Sequence, residues 1–559
     1  MNFMSGKGFR IAGVPVTGAA AGHGAASSHQ PLGMVSDISG GAARIMIDIS
    51  AMEALSRSDD PAIAMAGNVG SQVKMKVGKQ WIVANVRTLS IDMRSADHIV
   101  ADIDFLGEGD QEMLTGRLQR FRRGVTYFPV PGTDVYPVAE QDLSVIYAGE
   151  NQASVEVGTV YGTRGTRASL LVDPFLGRHF ALLGSTGTGK STAAALILHR
   201  ICDLSPEGHV LMIDPHGEYG AAFASNGECF DANNLELPYW LMNFEEHCEV
   251  FITSHGAERA QDMDVLARCL LAARSRNRLA EQIGRMTVDA PVPYMLSDLS
   301  NIIQNEMGKL DKGTGSLPYL RLKTRLDEIK GDPRYSFMFS GMLVADTLSA
   351  FLAKIFRLPS NGKPISVIDV SAVPSEITHV VVSVLARLVF DFAIWARGEE
   401  QRPILLVCEE AHRYIPNSTT GAGQSVRKIL ERIAKEGRKY GVSLGLITQR
   451  PSDLAEGVLS QCGTIVSMRL NNDRDQAFVK AAMPEGSRGF LDSIPALRNR
   501  EAIICGEGVA IPMRVNLDTL EEQRRPASAD PLFTSQWRDS GGEEEILERT
   551  INRWRTGGR

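Results

Sequence analysis

The sequence predicts an α/β protein: a core of parallel strands around a phosphate-binding loop, a mostly helical insertion into that core, and a small β-barrel ahead of it. Three observations carry this prediction. They are a complete phosphate-loop motif at 184–191, a series of short apolar runs, and an earlier region of alternating segments. Buried parallel strands are continuously apolar, whereas strands with one solvated face alternate apolar and polar residues.

The composition is that of a globular protein. Of the 559 residues, 43% are hydrophobic and 22% are charged, with a net charge of −7. This balance argues against a surface that coats nucleic acid, although a local basic channel remains compatible with it. The seven cysteines form no CxxC pair and are odd in number. They argue against a disulfide framework or zinc site and fit a reducing cytoplasm. The N-terminus has no apolar core of signal-peptide length.

The first 165 residues divide into two regions. Residues 1–32 are rich in Gly, Ala and Ser, which predicts a flexible tail. Residues 33–165 predict a small antiparallel β-barrel or sandwich, because short segments there have a period of two and are separated by Gly and Asp turns. We interpret it as a β-barrel domain with a structural or assembly role. The clearest such segments are ARIMIDIS (43–50), QVKMKV (72–77) and HIVADIDF (98–105).

The core is predicted in two parts, 166–234 and 361–520. Its candidate strands are HFALLG (179–184), HVLMID (209–214), PISVIDVS (364–371), PILLVCEE (403–410), SLGLIT (443–448) and TIVSM (464–468). They lack alternation, as expected for central parallel strands. Between the two parts, residues 235–360 have helical periodicity and predict the insertion. Residues 521–559 predict a linker and a C-terminal helix.

Two helices need separate interpretation. The apolar run 379–397 is long enough for a membrane span, but it carries Arg387 and Asp391 near its middle. Charges there are costly in a bilayer, so we predict a core helix with this charged pair exposed. In the C-terminal helix, Ile546, Leu547, Ile551 and Trp554 share one face. We predict that this face docks on the protein's own core or on a neighbouring subunit.

The most specific motif is GSTGTGKS, which matches the phosphate-loop pattern G-x-x-x-x-G-K-[ST] and lies between an apolar strand and a helix. The backbone of the loop is expected to wrap phosphates, with Lys190 reaching the β- and γ-phosphates and Ser191 ligating Mg²⁺. The predicted nucleotide-binding residues are Gly184, Ser185, Thr186, Gly187, Thr188, Gly189, Lys190, Ser191 and Thr192.

Phosphoryl transfer also needs an acid that holds the metal and a group that orients the attacking water. The strand ILLVCEE ends in Glu409 and Glu410. We predict that Glu409 lies on the metal side and contacts Mg²⁺ through a water or directly. We predict that Glu410 is the base for the attacking water. Asp214 and Glu218, in DPHGEY, are alternatives or supporting partners. The competing interpretation of the glutamate pair is an ordinary solvated strand end.

Two further polar residues follow this logic. Gln449 ends the strand SLGLIT, where its amide would sense the γ-phosphate or hold the water; otherwise it is a loop residue. Arg438 lies near the C-terminus of a charged helix. There it either complements the helix dipole or acts as an arginine finger in a neighbour's site. Sequence logic leaves these two interpretations of Arg438 open.

With these pieces the chain resembles the HerA family of DNA-translocating ATPases, part of the HerA–FtsK division of RecA-like motors. The stretches that carry the resemblance are LGRHFALLGSTGTGKST, LMIDPHGEYG, LLVCEEAHRYIP, RIAKEGRKYGVSLGLITQRPSDL, RLNNDRDQ and GEGVAIPMRVNL. The resemblance implies a RecA-like core and a hexameric ring, with ATP and Mg²⁺ between subunits and double-stranded DNA in the central channel.

The resemblance also implies roles for single residues. Lys190 and Ser191 carry over as phosphate and Mg²⁺ ligands, Glu410 as the catalytic acid, Gln449 as the sensor and Arg438 as the finger that acts in trans. Asp214 and Arg178 carry over as residues near the nucleotide. Many members of the family have Asp where this chain has Glu409.

Partners are implied by the resemblance alone. Family members act with a nuclease of the NurA type in DNA repair, or with antiphage effectors that are NAD hydrolases or nucleases. We expect a cytoplasmic protein. Two alternatives are a ring-forming scaffold that activates an effector, and a secretion-type ATPase that moves protein.

Three basic clusters are candidates to line a DNA channel, the competing interpretation being solvated faces. They are Arg117, Arg120, Arg122 and Arg123; Arg274, Arg276 and Arg278; Arg321, Lys323 and Arg325.

Overall fold

The structure, a computed structural model, describes residues 30–91, 97–112, 115–149, 152–309, 314–340, 345–418, 423–483, 488–527, 533–538 and 543–556. Contacts divide the chain into two compact units, 1–119 with 124–143 and 120–123 with 144–559. The predicted tail lies outside the described residues as far as position 29. Its last residue, Leu32, is fully buried in the core of the first unit.

The first unit is a closed β-barrel. Its strands are β1 (Gly33–Ser39), β2 (Ala42–Asp48), β3 (Gln72–Val77), β4 (Gln80–Ile91), β5 (His98–Gln111), the first two residues of β6 (Leu118–Arg123) and β7 (Asp134–Pro137), with helices α1 (Ile49–Leu55) and α2 (Pro61–Ala64) between β2 and β3. The order β2-β1-β7-β3-β4-β5 closes through pairing of β2 with β5, and β6 joins at β5. Alternate residues such as Ile45, Ile47 and Ile103 are fully buried. Of the barrel and the sandwich that the alternation predicted, the structure forms the barrel.

The second unit is built on one sheet and its helices. In chain order its elements are α3 (Glu140–Ala148), β8 (Ser154–Val160), β9 (Arg167–Leu171), α4 (Val172–Gly177), β10 (Phe180–Leu183), α5 (Lys190–Leu204), β11 (Val210–Asp214), β12 (Gly227–Phe230), α6 (Phe244–Phe251), α7 (Gly256–Arg274), α8 (Leu296–Gly308), α9 (Leu317–Gly331), α10 (Ser336–Phe339), α11 (Leu348–Phe356), β13 (Ile365–Asp369), α12 (Ser375–Trp395), β14 (Ile404–Cys408), α13 (Gln424–Glu436), β15 (Val442–Thr448), α14 (Glu456–Leu459), β16 (Thr464–Ser467), α15 (Asp473–Ala482), α16 (Arg488–Leu491), β17 (Glu501–Gly506), β18 (Met513–Leu517), α17 (Phe533–Gln536) and α18 (Glu543–Thr556).

The sheet has eleven strands in the order β12-β13-β11-β14-β15-β10-β16-β17-β18-β8-β9. Every pairing from β12 to β16 is parallel, as the apolar runs predicted. From β16 to β9 the pairings are antiparallel. Strand β8 lies within 33–165, which the sequence assigned to the barrel domain, yet it pairs with β18 in this sheet. Its alternating pattern suits either sheet.

Helix α12 is the apolar run that the sequence placed in the core. By length and composition it is one described helix that could cross a membrane, but most of its apolar window is buried inside the protein. The predicted exposure of its charged pair was wrong for Arg387, whereas the Asp391 side chain is 40% exposed. The Arg387 side chain is only 16% exposed because it pairs at 2.8 Å with Glu246 of α6, which is fully buried.

The C-terminal helix α18 does not bury its apolar face on its own core. Ile546, Leu547 and Trp554 are 55%, 61% and 83% exposed. Of the two predicted docking surfaces, the protein's own core is therefore excluded for these three side chains. Docking on a neighbouring subunit stays a prediction.

Candidate nucleotide site

The phosphate-loop motif forms the turn between β10 and α5, the strand–loop–helix setting that the motif predicted. Gly187 and Gly189 have φ angles of +77° and +95°, in the left-handed region that favours glycine. At Gly184 a Cβ atom would lie 2.9 Å from the Cβ of Met468. Helix α5 begins at Lys190, so the positive end of its dipole faces the loop. This turn is suited to bind phosphate.

Two adjacent acids face this loop from the end of β14. Glu409 and Glu410 are 1% and 5% exposed. Glu409 Oε1 accepts a hydrogen bond from the Ser191 hydroxyl at 3.4 Å, and Glu410 Oε1 lies 3.9 Å from Lys190 Nζ. Consecutive residues of a regular strand point to opposite faces. Both acids reach the loop because Glu410 leaves the strand with a left-handed φ of +48°. An ordinary solvated strand end is therefore excluded.

The two carboxyl groups have opposite electrostatic settings. Burial, and then the nearby carboxylates of Asp214 and Glu218, raise the pKa of Glu409 to about 8. Burial alone would raise the pKa of Glu410, but the neighbouring His412 and the charge of Lys190 bring that pKa below its ordinary value. Glu410 is therefore an anion at neutral pH. Glu409 holds a proton there unless a cation replaces it.

Sequence reasoning missed the partners of both acids. Tyr219 is fully buried, and its hydroxyl donates to Glu409 Oε1 at 3.1 Å. His412 Nδ1 lies 3.2 Å from Glu410 Oε2 and 2.9 Å from Oγ1 of Thr448. Tyr219 ends DPHGEY, and His412 follows the glutamate pair by two residues. Their proximity to these quoted motifs was the available signal.

Gln449 follows β15, which lies between the strand of the acids and the strand of the phosphate loop. Its side-chain oxygen accepts a hydrogen bond from the hydroxyl of Thr186 within the loop. The amide therefore contacts the loop directly, as a residue that responds to phosphate would need to do. Its role as a sensor stays a prediction.

Asp214 has the supporting position that the sequence offered as one of its two alternatives, and its contact with nucleotide stays a prediction. Its carboxylate is fully buried and accepts backbone N–H groups of His216, Gly217 and Tyr219 at 3.1, 2.9 and 2.9 Å. Burial raises the pKa of Asp214. All these bonds shape the turn after β11, so Asp214 organises the loop that carries Tyr219. The backbone oxygen of Glu218 accepts from Ala527 N at 2.9 Å.

Arg178 and Arg438 lie before the N-terminal ends of β10 and β15, whereas the phosphate loop of the same chain follows the C-terminal end of β10. Arg178 precedes β10, whose four residues span roughly 13 Å before the loop begins. Its guanidinium pairs with Glu507. The prediction that Arg178 binds nucleotide is therefore wrong for the site of its own subunit. Arg438 precedes β15, whose seven residues separate it by roughly 20 Å from Gln449. Its side chain is exposed.

Arg500 is a further residue beside the loop that the sequence did not indicate. It has a left-handed φ of +68°, and its backbone N–H donates to the Thr188 oxygen at 3.3 Å. A Cβ atom on Gly189 would lie 4.0 Å from its Cγ. A non-glycine residue in this region stores strain, which is commonly found at functional sites.

The basic clusters proposed for a DNA channel have mixed outcomes. Arg274 is fully buried and donates to the backbone oxygens of Trp240 and Met242, so it cannot contact DNA. Arg321 is held by the buried carboxylate of Asp262 at 2.6 Å. The other candidates stay predictions; they are Arg117, Arg120, Arg122, Arg123, Arg276, Arg278, Lys323 and Arg325.

The donors at the loop fit a divalent cation. The Ser191 hydroxyl and the Glu409 carboxylate are the hard oxygen ligands that Mg²⁺ prefers. Glu409 Oε2 is buried without a hydrogen-bond partner among the described residues. The residues that the structure describes contain no group of three or more His, Cys, Asp or Glu side chains that could hold a metal. A cation here would therefore take its remaining ligands from phosphate oxygens and water, as Mg²⁺ commonly does.

Comparison with known proteins finds helicases of the HerA type. The family model for the central domain of helicase HerA matches residues 155–389. The DNA double-strand break repair helicase HerA of Pyrococcus furiosus is 26% identical over 523 residues, covering 84% of this chain and 87% of that protein. The corresponding helicase of Sulfolobus acidocaldarius is 26% identical, covering 76% and 80%. Among solved structures, VirB4 of Thermoanaerobacter pseudethanolicus covers 67% of this chain and 98% of its own, with 16% identity and a TM-score of 0.47.

Proposed function

Because this chain belongs to the HerA family and is a P-loop ATPase, we propose that it is an ATP-driven translocase of double-stranded DNA. It works as a hexameric ring with a RecA-like core, together with a partner nuclease or effector. The observation that carries the proposal is the pair of buried acids that reach the phosphate loop from the end of β14. One acid lies 3.4 Å from the loop hydroxyl and the other 3.9 Å from the loop lysine.

The residues of this site divide the work of ATP hydrolysis. The loop from Gly184 to Thr192 binds the phosphates of ATP, and Lys190 neutralises the β- and γ-phosphates. Mg²⁺, held through Ser191 and Glu409, supplies charge stabilisation for the transferring phosphoryl group when it is bound. Glu410 is the anionic acid, so it accepts a proton from the attacking water and orients it.

Lys190 and Glu410 form an ion pair in the structure, at 3.9 Å. Arrival of phosphate gives Lys190 a stronger partner, which frees Glu410 for the water. The contact between Gln449 and Thr186 supports a role for this amide as a sensor of the same phosphate. Hydrolysis is therefore coupled to the loop through Lys190 at the start of α5, and through Glu410 and Gln449, which follow the adjoining strands β14 and β15.

A ring supplies the residue that this site lacks. Arg438 is exposed on the sheet edge opposite the phosphate loop. In a head-to-tail ring, that edge of one subunit faces the site of the next. Arg438 then donates its guanidinium in trans and stabilises the charge of the transferring phosphoryl group. Arg178, which precedes β10 at the same ends of the strands, would assist the neighbouring site in such a ring.

The proposed substrate is the DNA backbone, since a motor must hold every sequence equally. The net charge of −7 disfavours DNA binding over the whole surface and is compatible with binding in a local basic channel. The partner is a NurA-type nuclease in DNA repair or an antiphage effector of the nuclease or NAD-hydrolase type, in the cytoplasm.

The first test compares ATPase rates with and without double-stranded DNA for the wild type, Glu410→Gln and the control Glu400→Gln. We expect DNA to stimulate the wild type and the control. Glu410→Gln should bind ATP normally but hydrolyse it at least about 100-fold more slowly. Intact rings without stimulation at any salt concentration would refute translocation. Activation of a partner by Glu410→Gln rings would favour the scaffold alternative.

The second test mixes two inactive variants, Arg438→Ala and Glu410→Gln. In a mixed ring, some interfaces combine an intact Glu410 from one subunit with an intact Arg438 from the next. We expect ATPase activity to return on mixing, with a maximum near equal amounts. Verified mixed rings that stay inactive would show that Arg438 does not act across the interface.

A further inference from the structure

The contact of Glu409 with Tyr219 is not explained by the chemistry of the loop. Glu409 Oε1 accepts from two hydroxyls, Ser191 at 3.4 Å and Tyr219 at 3.1 Å. The other carboxylate oxygen, Oε2, is buried and has no hydrogen-bond partner among the described residues. The side chain is therefore fixed through one oxygen, and the other is left for a further ligand.

Tyr219 is itself held rigidly. It is fully buried, its backbone N–H donates to Asp214 Oδ2 at 2.9 Å, and its ring stacks on Phe223 with centroids 6.4 Å apart. Asp214 also binds the N–H groups of His216 and Gly217, so both of its oxygens serve the same turn. One buried acid thus shapes the loop that sets a phenol hydroxyl against a second acid.

We propose that Tyr219 is a positioning residue for the metal-side carboxylate: its hydroxyl fixes Glu409 so that the free oxygen faces the cation of the nucleotide complex. The inference rests on the proposed function and deepens it. Glu has one more rotatable bond than Asp, and ordering that bond costs side-chain entropy. The phenol offsets the cost by holding the longer acid in one orientation. Outer partners of this kind commonly change metal affinity 10- to 100-fold.

The length of the acid gives a sharp test. Asp at position 409 is shorter by one C–C bond, about 1.5 Å, so its carboxylate cannot meet both the Tyr219 hydroxyl and the loop. Tyr219 should therefore matter when residue 409 is Glu and should not matter when it is Asp. A purely structural role of the phenol would be the same in both backgrounds.

The experiment uses the full-length chain with Glu410→Gln to prevent turnover. Binding of a fluorescent ATP analogue is titrated with Mg²⁺ and, separately, in EDTA. Four proteins are compared: the parent, Tyr219→Phe, Glu409→Asp and the double variant. Tyr414→Phe is the matched control, because Tyr414 is also buried and its hydroxyl has no hydrogen-bond partner among the described residues.

We expect Tyr219→Phe to raise the half-saturating Mg²⁺ concentration about tenfold or more, with affinity in EDTA unchanged. Tyr414→Phe should match the parent, and the double variant should match Glu409→Asp. Equal losses in Mg²⁺ and EDTA, equal losses in both backgrounds, or no loss would overturn the inference. If the parent fails to bind nucleotide at all, the proposed function fails instead.

Discussion

The ion pair between Glu246 and Arg387 ties the helical insertion to the core helix α12. The Glu246 carboxylate is fully buried and accepts from Arg387 Nη2 at 2.8 Å, Ser383 Oγ at 2.8 Å and Asn243 N at 2.8 Å. It also completes the capping box at the start of α6. We predict that Glu246→Ala destabilises the second unit strongly, because it leaves a largely buried guanidinium with too little compensation.

The expected magnitude follows from these contacts. Removing one partner of a buried ion pair costs about 3–5 kcal/mol, and loss of the cap adds about 1 kcal/mol. Arg387 keeps its bonds to Asp391 and to the Leu241 oxygen, which holds the cost near the lower part of this range. Even so, it is a large share of a folding free energy of about 5–15 kcal/mol.

The adjacent residue provides the control. Glu245 pairs at 2.8 Å with Lys428, but both side chains are more than half exposed, so Glu245→Ala should cost under about 1 kcal/mol. Urea unfolding gives the overall free energy, and hydrogen exchange of α6 and α12 shows where the loss occurs. The double variant Glu246→Leu with Arg387→Met should be at least about 2 kcal/mol more stable than the sum of the single changes. If Glu246→Ala costs no more than Glu245→Ala, the reasoning is refuted.

Three further predictions concern other parts of the chain. Burial and nearby arginines lower the pKa of His247 to about 3. Below about pH 6.5 the unfolded chain therefore gains a proton on this histidine that the native state does not. The free energy of unfolding falls by up to about 1.4 kcal/mol per pH unit from there toward pH 3. His247→Phe should flatten this acid limb in urea titrations between pH 7.5 and 5, and an unchanged slope would count against it. Gly506→Ala should lower the thermal midpoint sharply, because φ is +114° and the new Cβ would lie 2.0 Å from the Gly463 oxygen; a stable, active variant would contradict that geometry. Lys74→Met should destabilise the barrel by about 3 kcal/mol or more, because it removes the ammonium group that pairs at 2.6 Å with the buried Asp142. The urea midpoint of the barrel measures this cost. A cost below about 1 kcal/mol would mean that the ion pair is not needed for stability.

The sequence was informative wherever one local pattern determines the structure. The phosphate loop needs left-handed glycines at fixed spacing, so Gly187 and Gly189 were recognisable from the motif. The parallel strands were recognisable because both faces are covered, which makes their apolar runs continuous. The adjacent glutamates were placed correctly at the end of β14, next to the loop.

Features that depend on distant parts of the chain were not predictable in the same way. Alternation cannot tell a barrel strand from the antiparallel edge of the other sheet, which is why β8 was misassigned. Helical spacing did not reveal that Arg387 meets Glu246, 141 positions earlier. The Tyr219 hydroxyl reaches Glu409 across 190 positions, and no local spacing encodes that contact.

Strand β15 has a mechanical consequence for the proposed ring. All seven of its residues are buried, and it is hydrogen-bonded to β14 on one side and to β10 on the other, which restrains its movement within the sheet. Arg438 lies just before one end and Gln449 just after the other. In the proposed ring, the strand would connect two successive ATP sites. A displacement of Arg438 by the nucleotide of one site would move Gln449 at the other site. Hydrolysis in one subunit would then be coupled to its neighbour through this strand.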